Sequence, residues 1–311
     1  MEYVTLGKSD LSVSRICMGG CPMGQYGWGD VQEKELLDAI SAAIDNGVNF
    51  FDTADVYGMG TSEQTLAKGL GNRRSDVVIA TKFGVRVENG RTFYDNSAEW
   101  IRKAVEGSLK RLNTDYIDLY QIHYRDGVTP LADVVESLLQ LQQQGLIRHF
   151  GLSNVFEKDF QEIANLKDYF VSFQDEYSLA CRKNEADIQH LAQELSLTPL
   201  TWGSLGQGVL TGKYTAETEF GNNDRRSRDI YVNFHGEKFR QNLRIVEAMR
   251  PIAAAHGKSI AAVAIRFIMD YLPSSVVLCG AKRPDQILGN IQGADWQLAA
   301  TELDILNSVS L

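Results

Sequence analysis

The sequence predicts an α/β fold, a closed (β/α)8 TIM barrel with an N-terminal β-hairpin at the barrel bottom. Eight short runs rich in Val, Ile, Leu, Phe and Tyr recur along the 311 residues, with helical patterns between them. Runs this apolar suit strands covered on both faces, as a parallel sheet requires. No GxGxxG follows the first run, which weakens the competing dinucleotide-binding open sheet, although periodicity alone does not exclude it.

In chain order, residues 3–14 read as a short hairpin turning near Gly7–Asp10, placed to plug a barrel. The strands are expected at Arg15–Met18, Val48–Asp52, Val77–Lys82, Tyr116–His123, Ile147–Leu152, Phe170–Gln174, Leu197–Trp202 and Ser275–Gly280. Asp30 to Glu33 fits a capping-box-like helix start, and Leu36, Leu37, Ile40, Ala43 and Ile44 continue it to a stop at Gly47. Thr61 to Gln64 and Asn96 to Glu99 are two more such boxes, the second preceding Ile101, Val105, Leu109 and Leu112. Val134, Val135, Leu138 and Leu141 mark a helix stopped at Gly145, and Ile260 to Ile268 mark a late one before Pro273.

No Pro/Gly/Ser-rich linker interrupts the chain, so residues 1–311 read as one domain. Residues 214–240 break the rhythm as a long loop, with Arg225, Arg226 and Arg228 in an otherwise acidic chain. They read either as a solvated insertion or as a flap over an anionic cofactor.

Composition excludes several function classes. The chain is 44% hydrophobic and 23% charged, with a net charge of −9, which argues against nucleic acid and anionic membranes as partners. No run of about 20 apolar residues suggests a membrane span. The scattered cysteines and the start MEYVTLGKSD suggest a soluble, reduced, cytoplasmic protein, and five histidines without HxH or HExxH spacing suggest no metal site. Oligomeric state is not readable; a monomer is slightly favoured.

In such a barrel the chemistry sits where the strands end. Three successive strands finish on Asp52, Lys82 and His123, and later ones run into Ser153–Asn154, Gln174, Trp202 and Gly280–Lys282. Each alone reads as a structural polar residue; together they converge on one mouth. Asp52 and Lys82, on adjacent strands, are placed to pair. Tyr57 follows five residues after Asp52, in a loop with Gly58 and Gly60. A free tyrosine titrates near ~10, too high for efficient proton transfer at neutrality. A lysine ammonium about 4 Å away would stabilise the phenolate by on the order of 4 kcal/mol, lowering the pKa by up to about three units, less the cost of burial. His123 could donate to a carbonyl oxygen. The four residues describe carbonyl reduction, with the hydride supplied by a nicotinamide or flavin.

At this point the chain resembles an aldo-keto reductase over nearly its whole length, closest to the bacterial branch of inositol-operon and general-stress reductases. The matching segments are LGKSDLSVSRICMGG, FDTADVYGMGTSEQTLAKGL, VVIATKFG, SLKRLNTDYIDLYQIH, GLIRHFGLSN, GQGVLTGKY and GAKRPDQILGN. The resemblance implies a barrel that binds NAD(P)H across its mouth and a catalytic tetrad of Asp52, Tyr57, Lys82 and His123. It places Gly20 at the cofactor, Ser153, Asn154 and Gln174 at the nicotinamide carboxamide, and Trp202 against the ring. Gly203, Leu205, Gln207 and Lys213 would line the pyrophosphate, with Arg226 above it in the flap. Gly280, Lys282, Arg283, Gln286 and Asn290 would hold the adenosine end, and two basic residues there favour NADPH/NADP+ over NADH.

The chain departs from the family at Trp202, where Tyr is usual, at Gly289, where a carboxylate often contacts adenine, and at Cys279, where Pro is common. Tyr124–Arg125–Asp126 replaces the family's WPD. The substrate pocket, for a small carbonyl compound, is therefore expected from Tyr26, Trp28, Phe83, Tyr124 and Arg125, with Arg125 favouring a polar or anionic substrate. Two other functions fit the fold: an aldolase or lyase using Lys82 as a Schiff base, and an NADPH-occupied regulatory protein like the potassium-channel β subunits, with little turnover.

Overall fold

The computed structural model describes residues 1–311. Eight parallel strands close into a barrel: β3 (Ile16–Gly19), β4 (Phe50–Asp52), β5 (Val78–Phe83), β8 (Ile117–Ile122), β9 (Ile147–Ser153), β10 (Phe170–Glu176), β11 (Thr198–Trp202) and β12 (Val276–Gly280), the last pairing back to β3. All eight lie where the sequence places strands, within a few residues. The helices between them are α1 (Glu33–Asp45), α2 (Thr61–Leu70), α3 (Ala98–Leu112), α4 (Leu131–Gln143), α5 (Phe160–Leu166), α6 (Glu185–Leu195), α7 (Gly236–His256), α8 (Ile260–Tyr271) and α9 (Pro284–Ile291), and α10 (Ala300–Ser310) ends the chain.

The strand period of two sorts the side chains into an inner and an outer core. Cys17, Phe50, Val78, Ala80, Leu119, Val171, Leu200, Val276 and Leu278 point inward. The hairpin of β1 (Tyr3–Thr5) and β2 (Ser12–Ser14) closes that end with Leu6, Leu11 and Val13. The intervening residues, such as Met18, Phe51, Ile79 and Tyr120, point outward against the helices. One layer above the apolar plug, the same inward register delivers Asp52, Lys82 and Gln121, and Gln174 joins them through a register shift in β10 between Phe170 and Phe173.

Four local expectations are corrected. Helix α1 begins after Gln32, not at an Asp30 cap, and has no side-chain cap. In α2, Thr61 is the first helical residue, and its hydroxyl donates to the Gly58 carbonyl at 2.7 Å instead of capping. In α3 the cap is Ser97, which accepts from the Trp100 amide; Asn96 instead ties down the 124–126 loop through the Tyr124 carbonyl and the Asp126 amide. The loop expected over 214–240 ends sooner, because α7 starts at Gly236.

The structure also adds elements that the sequence reading does not assign. An antiparallel hairpin of β6 (Val85–Glu88) and β7 (Arg91–Tyr94) rises from the mouth after β5. Helix α7 buries Phe239, Ile245, Val246, Met249 and Ile252, and α10 packs against it. No single helix is long and apolar enough to cross a membrane.

Candidate active site

The barrel mouth opens into a cavity of about 670 Å³. At its floor, Lys82 is fully buried and donates to Asp52 Oδ1 at 2.6 Å and to the Thr53 carbonyl at 2.8 Å. Asp52 Oδ2 accepts from Gln174 Nε2 at 2.8 Å and from Gln121 Nε2 at 3.0 Å. The carboxylate thus has one cation and two amides, the saturation a buried charge requires. Gln121 is absent from the predicted set. Its signal lies in YQIH, where it sits two residues before His123 and so faces the same way. Gly20 seals this floor: its amide donates to the Asp52 carbonyl at 2.6 Å, and a β-carbon there would meet that oxygen and Ser62 Oγ at 2.8 Å.

Tyr57 and His123 face each other across the cavity edge to face, with ring centroids 5.8 Å apart. The Tyr57 loop is held by contact with the loop after β3. Gly58 has φ +60°, and a β-carbon there would strike the Gly24 carbonyl. Lys82 Nζ lies 5.1 Å from the centre of the Tyr57 ring. Yet this phenol does not fall below its ordinary value, as the sequence suggests it should. Burial most of all, then the Asp52 carboxylate, hold Tyr57 well above its ordinary value. The physical reason is that the ammonium is spent on Asp52 at hydrogen-bond distance. Burial, then the Lys82 charge, hold the His123 imidazole well below its ordinary value, so the ring is neutral at pH 7, and its Nδ1 has no partner. The resting pair is therefore a proton-loaded phenol beside a neutral imidazole.

The cavity wall on this side is aromatic. Tyr124 stacks on His123 at 5.2 Å, and Tyr94 from β7 stacks on Tyr124 at 5.0 Å. Trp28, Cys21 and Tyr231 complete the wall. Three of the expected pocket residues are elsewhere. Phe83 points outward, one residue past the inward Lys82, and packs on Tyr120 in the helix-facing core. Tyr26 is 59% exposed on the rim. Arg125 is committed to Glu162 at 3.0 Å and to the Thr129 carbonyl, so it is a structural cation outside the cavity.

The remaining predicted positions line one continuous groove. Ser153, Asn154, Gln174, Trp202, Gly203, Leu205, Gln207, Lys213, Arg226, Gly280, Lys282, Arg283, Gln286 and Asn290 all border it. Asn154 donates to the His123 carbonyl at 2.9 Å, linking the groove to the Tyr57–His123 wall. The flap has its own small core of Tyr214, Phe220, Phe234 and Phe239. Over it Arg226 is held by Asp224 and the Tyr214 hydroxyl. Lys282 donates to the Trp28 carbonyl at 2.8 Å, and Trp28 forms a β-bridge with Asp224.

This end of the groove carries excess positive charge. Burial and the neighbouring Arg226 lower Lys213, and burial, Arg226 and Lys213 lower Lys282. Cations that depress one another are relieved by an anion. Asn290 Nδ2 nearby is buried and unpartnered. The donor set suits a phosphate-bearing dinucleotide lying from the basic end towards Trp202.

The chain as a whole is similar to known proteins. The chain is 34% identical to the aldo-keto reductase YhdN of Bacillus subtilis, over 99% of this chain and 93% of that protein. The glycerol dehydrogenase of Gluconobacter oxydans superposes with a TM-score of 0.88 at 31% identity, over 99% of this chain and 94% of that one. An aldo-keto reductase from Klebsiella pneumoniae solved with NADPH superposes with a TM-score of 0.77 at 25% identity, over 100% and 96% of the two chains. The model of the Aldo/keto reductase family matches residues 15–310, and the chain belongs to that family.

Proposed function

We propose that this protein reduces an aldehyde or ketone to the alcohol with NADPH, with Tyr57 as the proton donor. The observation that carries the reading is the neutral Tyr57–His123 pair facing one cavity above the buried Asp52–Lys82 pair. Bound reduced nicotinamide supplies a hydride, which none of the four residues can provide.

The chain's own groups account for the rest. The substrate oxygen sits between the Tyr57 hydroxyl and the His123 ring. His123, kept neutral by burial, donates one ring N–H to that oxygen without contributing a charge. Tyr57 holds its proton in the resting state and gives it up as negative charge develops on the substrate oxygen. The Lys82 ammonium, fixed by Asp52 and the Thr53 carbonyl and 5.1 Å from the ring centre, offsets only part of the cost of the buried phenolate left behind. Tyr124 and Trp28 exclude water from one side of the substrate. Lys213, Arg226, Lys282 and Arg283 would hold the cofactor phosphates, the Lys282–Arg283 end suiting a 2′-phosphate. Ser153, Asn154, Gln174 and Trp202 would hold the nicotinamide. A Schiff-base role for Lys82 gains no support, because its nitrogen is fully buried behind Asp52.

The test is the initial rate of NADPH and of NADH oxidation with a panel of aldehydes, ketones and sugars. Turnover with NADPH preferred is expected. Tight NADPH binding with no turnover on any carbonyl would overturn the proposal in favour of a regulatory protein.

A further inference from the structure

Arg125 is not the cation of the substrate pocket, but another arginine takes that position. Arg225 lies in the flap, in the 3₁₀ turn Arg225–Ser227, and its amide donates to the Gly27 carbonyl at 3.0 Å. Together with the Trp28–Asp224 bridge, this joins the flap to the loop after β3 as one two-stranded edge over the cavity. Asp224 and Arg226 turn to each other, which leaves Arg225 on the opposite side. Its guanidinium lies against Gly27, where a β-carbon would come within 2.5 Å of Nε, and over the rings of Tyr26 and Trp28 at 5.0 and 5.5 Å.

Every other arginine lining the cavity has a carboxylate partner: Arg226 has Asp224 and Arg283 has Asp285. Arg225 forms no ion pair, and its Nε is buried without a hydrogen-bond partner. Trp28 Nε1, on the same wall, is also buried, with only the weakly accepting Cys21 thiol beside it. Two adjacent buried donors with no oxygen acceptor on a cavity wall are uncommon in folded proteins and call for one.

The two donors belong to the substrate end. Burial raises the Cys21 thiol, while Arg225 and Trp28 act against that rise, so both lie beside Cys21; Cys21 in turn acts on Tyr57. At the phosphate end, Arg226 is the foremost charge on Lys213 and on Lys282, and Arg225 does not figure. A planar carboxylate accepts from a guanidinium in a paired geometry and can take an indole N–H as well. The aromatic faces of Trp28, Tyr231 and Tyr124 suit a short apolar spacer between that carboxylate and a carbonyl at Tyr57 and His123.

We propose that Arg225, with the Trp28 indole N–H, is a specificity-determining site for a carboxylate on the substrate, so that the preferred substrates are short oxo acids. The proposal rests on the reductase reading and deepens it.

The test compares 4-oxobutanoate with butanal, which share a chain and differ in the anion. The wild-type protein is expected to favour 4-oxobutanoate by at least about tenfold in kcat/KM, one well-placed charged contact. Arg225→Gln is expected to lower the ratio of the two kcat/KM values by at least about tenfold, through weaker binding of the oxo acid and not through kcat, with Arg225→Lys recovering part of it. Equal losses for both aldehydes would overturn the assignment. So would a fall in NADPH affinity, read by fluorescence titration, with the ratio unchanged, since Arg225 would then serve the cofactor. A second readout needs no turnover: butanoate binding to the NADP+-loaded protein, followed by tryptophan fluorescence. Binding that weakens at least about tenfold in Arg225→Gln supports the site; binding that is absent in the wild type, or unchanged in the variant, overturns it. If no aldehyde reacts at all, the reductase reading fails while this readout still decides the carboxylate site.

Discussion

Lys82→Met removes the cation from an ion pair whose partners are 0% and 3% exposed and 2.6 Å apart. The variant leaves Asp52 in the barrel with only the two glutamine amides on Oδ2. Breaking a buried pair by deleting one partner costs about 3–5 kcal/mol, because the remaining charge is uncompensated. For a chain of 311 residues, an unfolding entropy of ~2.1 cal/mol/K per residue sums to roughly 0.65 kcal/mol/K, so the melting temperature should fall by about 5–8 °C. The assay is thermal and urea unfolding of Lys82→Met, Asp52→Asn and the double variant. The double variant has no unpaired charge, so its loss should be smaller than the sum of the single losses, with a coupling of about 2–3 kcal/mol. If the losses simply add, to within about 0.5 kcal/mol, the two side chains are not an energetic unit and the account of the floor is wrong.

Three further outcomes are expected. Burial pushes Asp175 up to about 8, so the folded chain holds a proton there that the unfolded chain has lost. Stability from this group is therefore greatest at acid pH and declines as pH rises from the ordinary carboxylate range to about 8; Asp175→Asn should gain on the order of 5 kcal/mol at pH 9 and nothing at pH 4, by thermal unfolding at both. Lys282→Ala should weaken NADPH by at least about tenfold more than NADH in fluorescence titration, and equal losses would misplace the 2′-phosphate. Gly58→Ala, forced to a φ of +60° against the Gly24 carbonyl, should cost at least about 1–2 kcal/mol and lower kcat by displacing Tyr57; an unchanged melting temperature would refute that packing.

Most of the fold was legible in the sequence because a parallel barrel writes each strand as a short apolar run. The same alternation explains one error. Inward positions repeat every second residue, so a strand that delivers Lys82 to the cavity must send Phe83 outward. Applied to YIDLYQIH, the rule also marks Gln121 as the partner of Asp52. The β6–β7 hairpin went unassigned although it carried a local signal: VRVE alternates and runs into an Asn-Gly turn whose residues take φ values of 50° and 74°. Its Tyr94 extends the wall behind His123.

Other features lay beyond the reach of local patterns. Helix α7 carries a buried Asn242 in its apolar stripe and an internal Pro251 on its exposed face, and both obscure the helical pattern. The Asn242 amide is buried because it serves the flap, donating to the Asn233 carbonyl at 3.0 Å, a contact between an element and a loop. Arg125 and Arg225 look alike in sequence. Only the fold shows that Glu162 neutralises the first and nothing neutralises the second. The sign of the Tyr57 shift likewise depends on how deeply the ring is buried and on where the Lys82 charge is already committed, both tertiary quantities.

The most direct test of the central claim is Tyr57→Phe. The substitution removes only the hydroxyl and keeps the ring that packs edge to face with His123. NADPH affinity, by fluorescence titration, should stay within about twofold, while carbonyl reduction should fall by at least about 100-fold, the lower end of what a positioned general acid contributes. A variant that keeps more than about a tenth of wild-type turnover would show that the proton comes from another group.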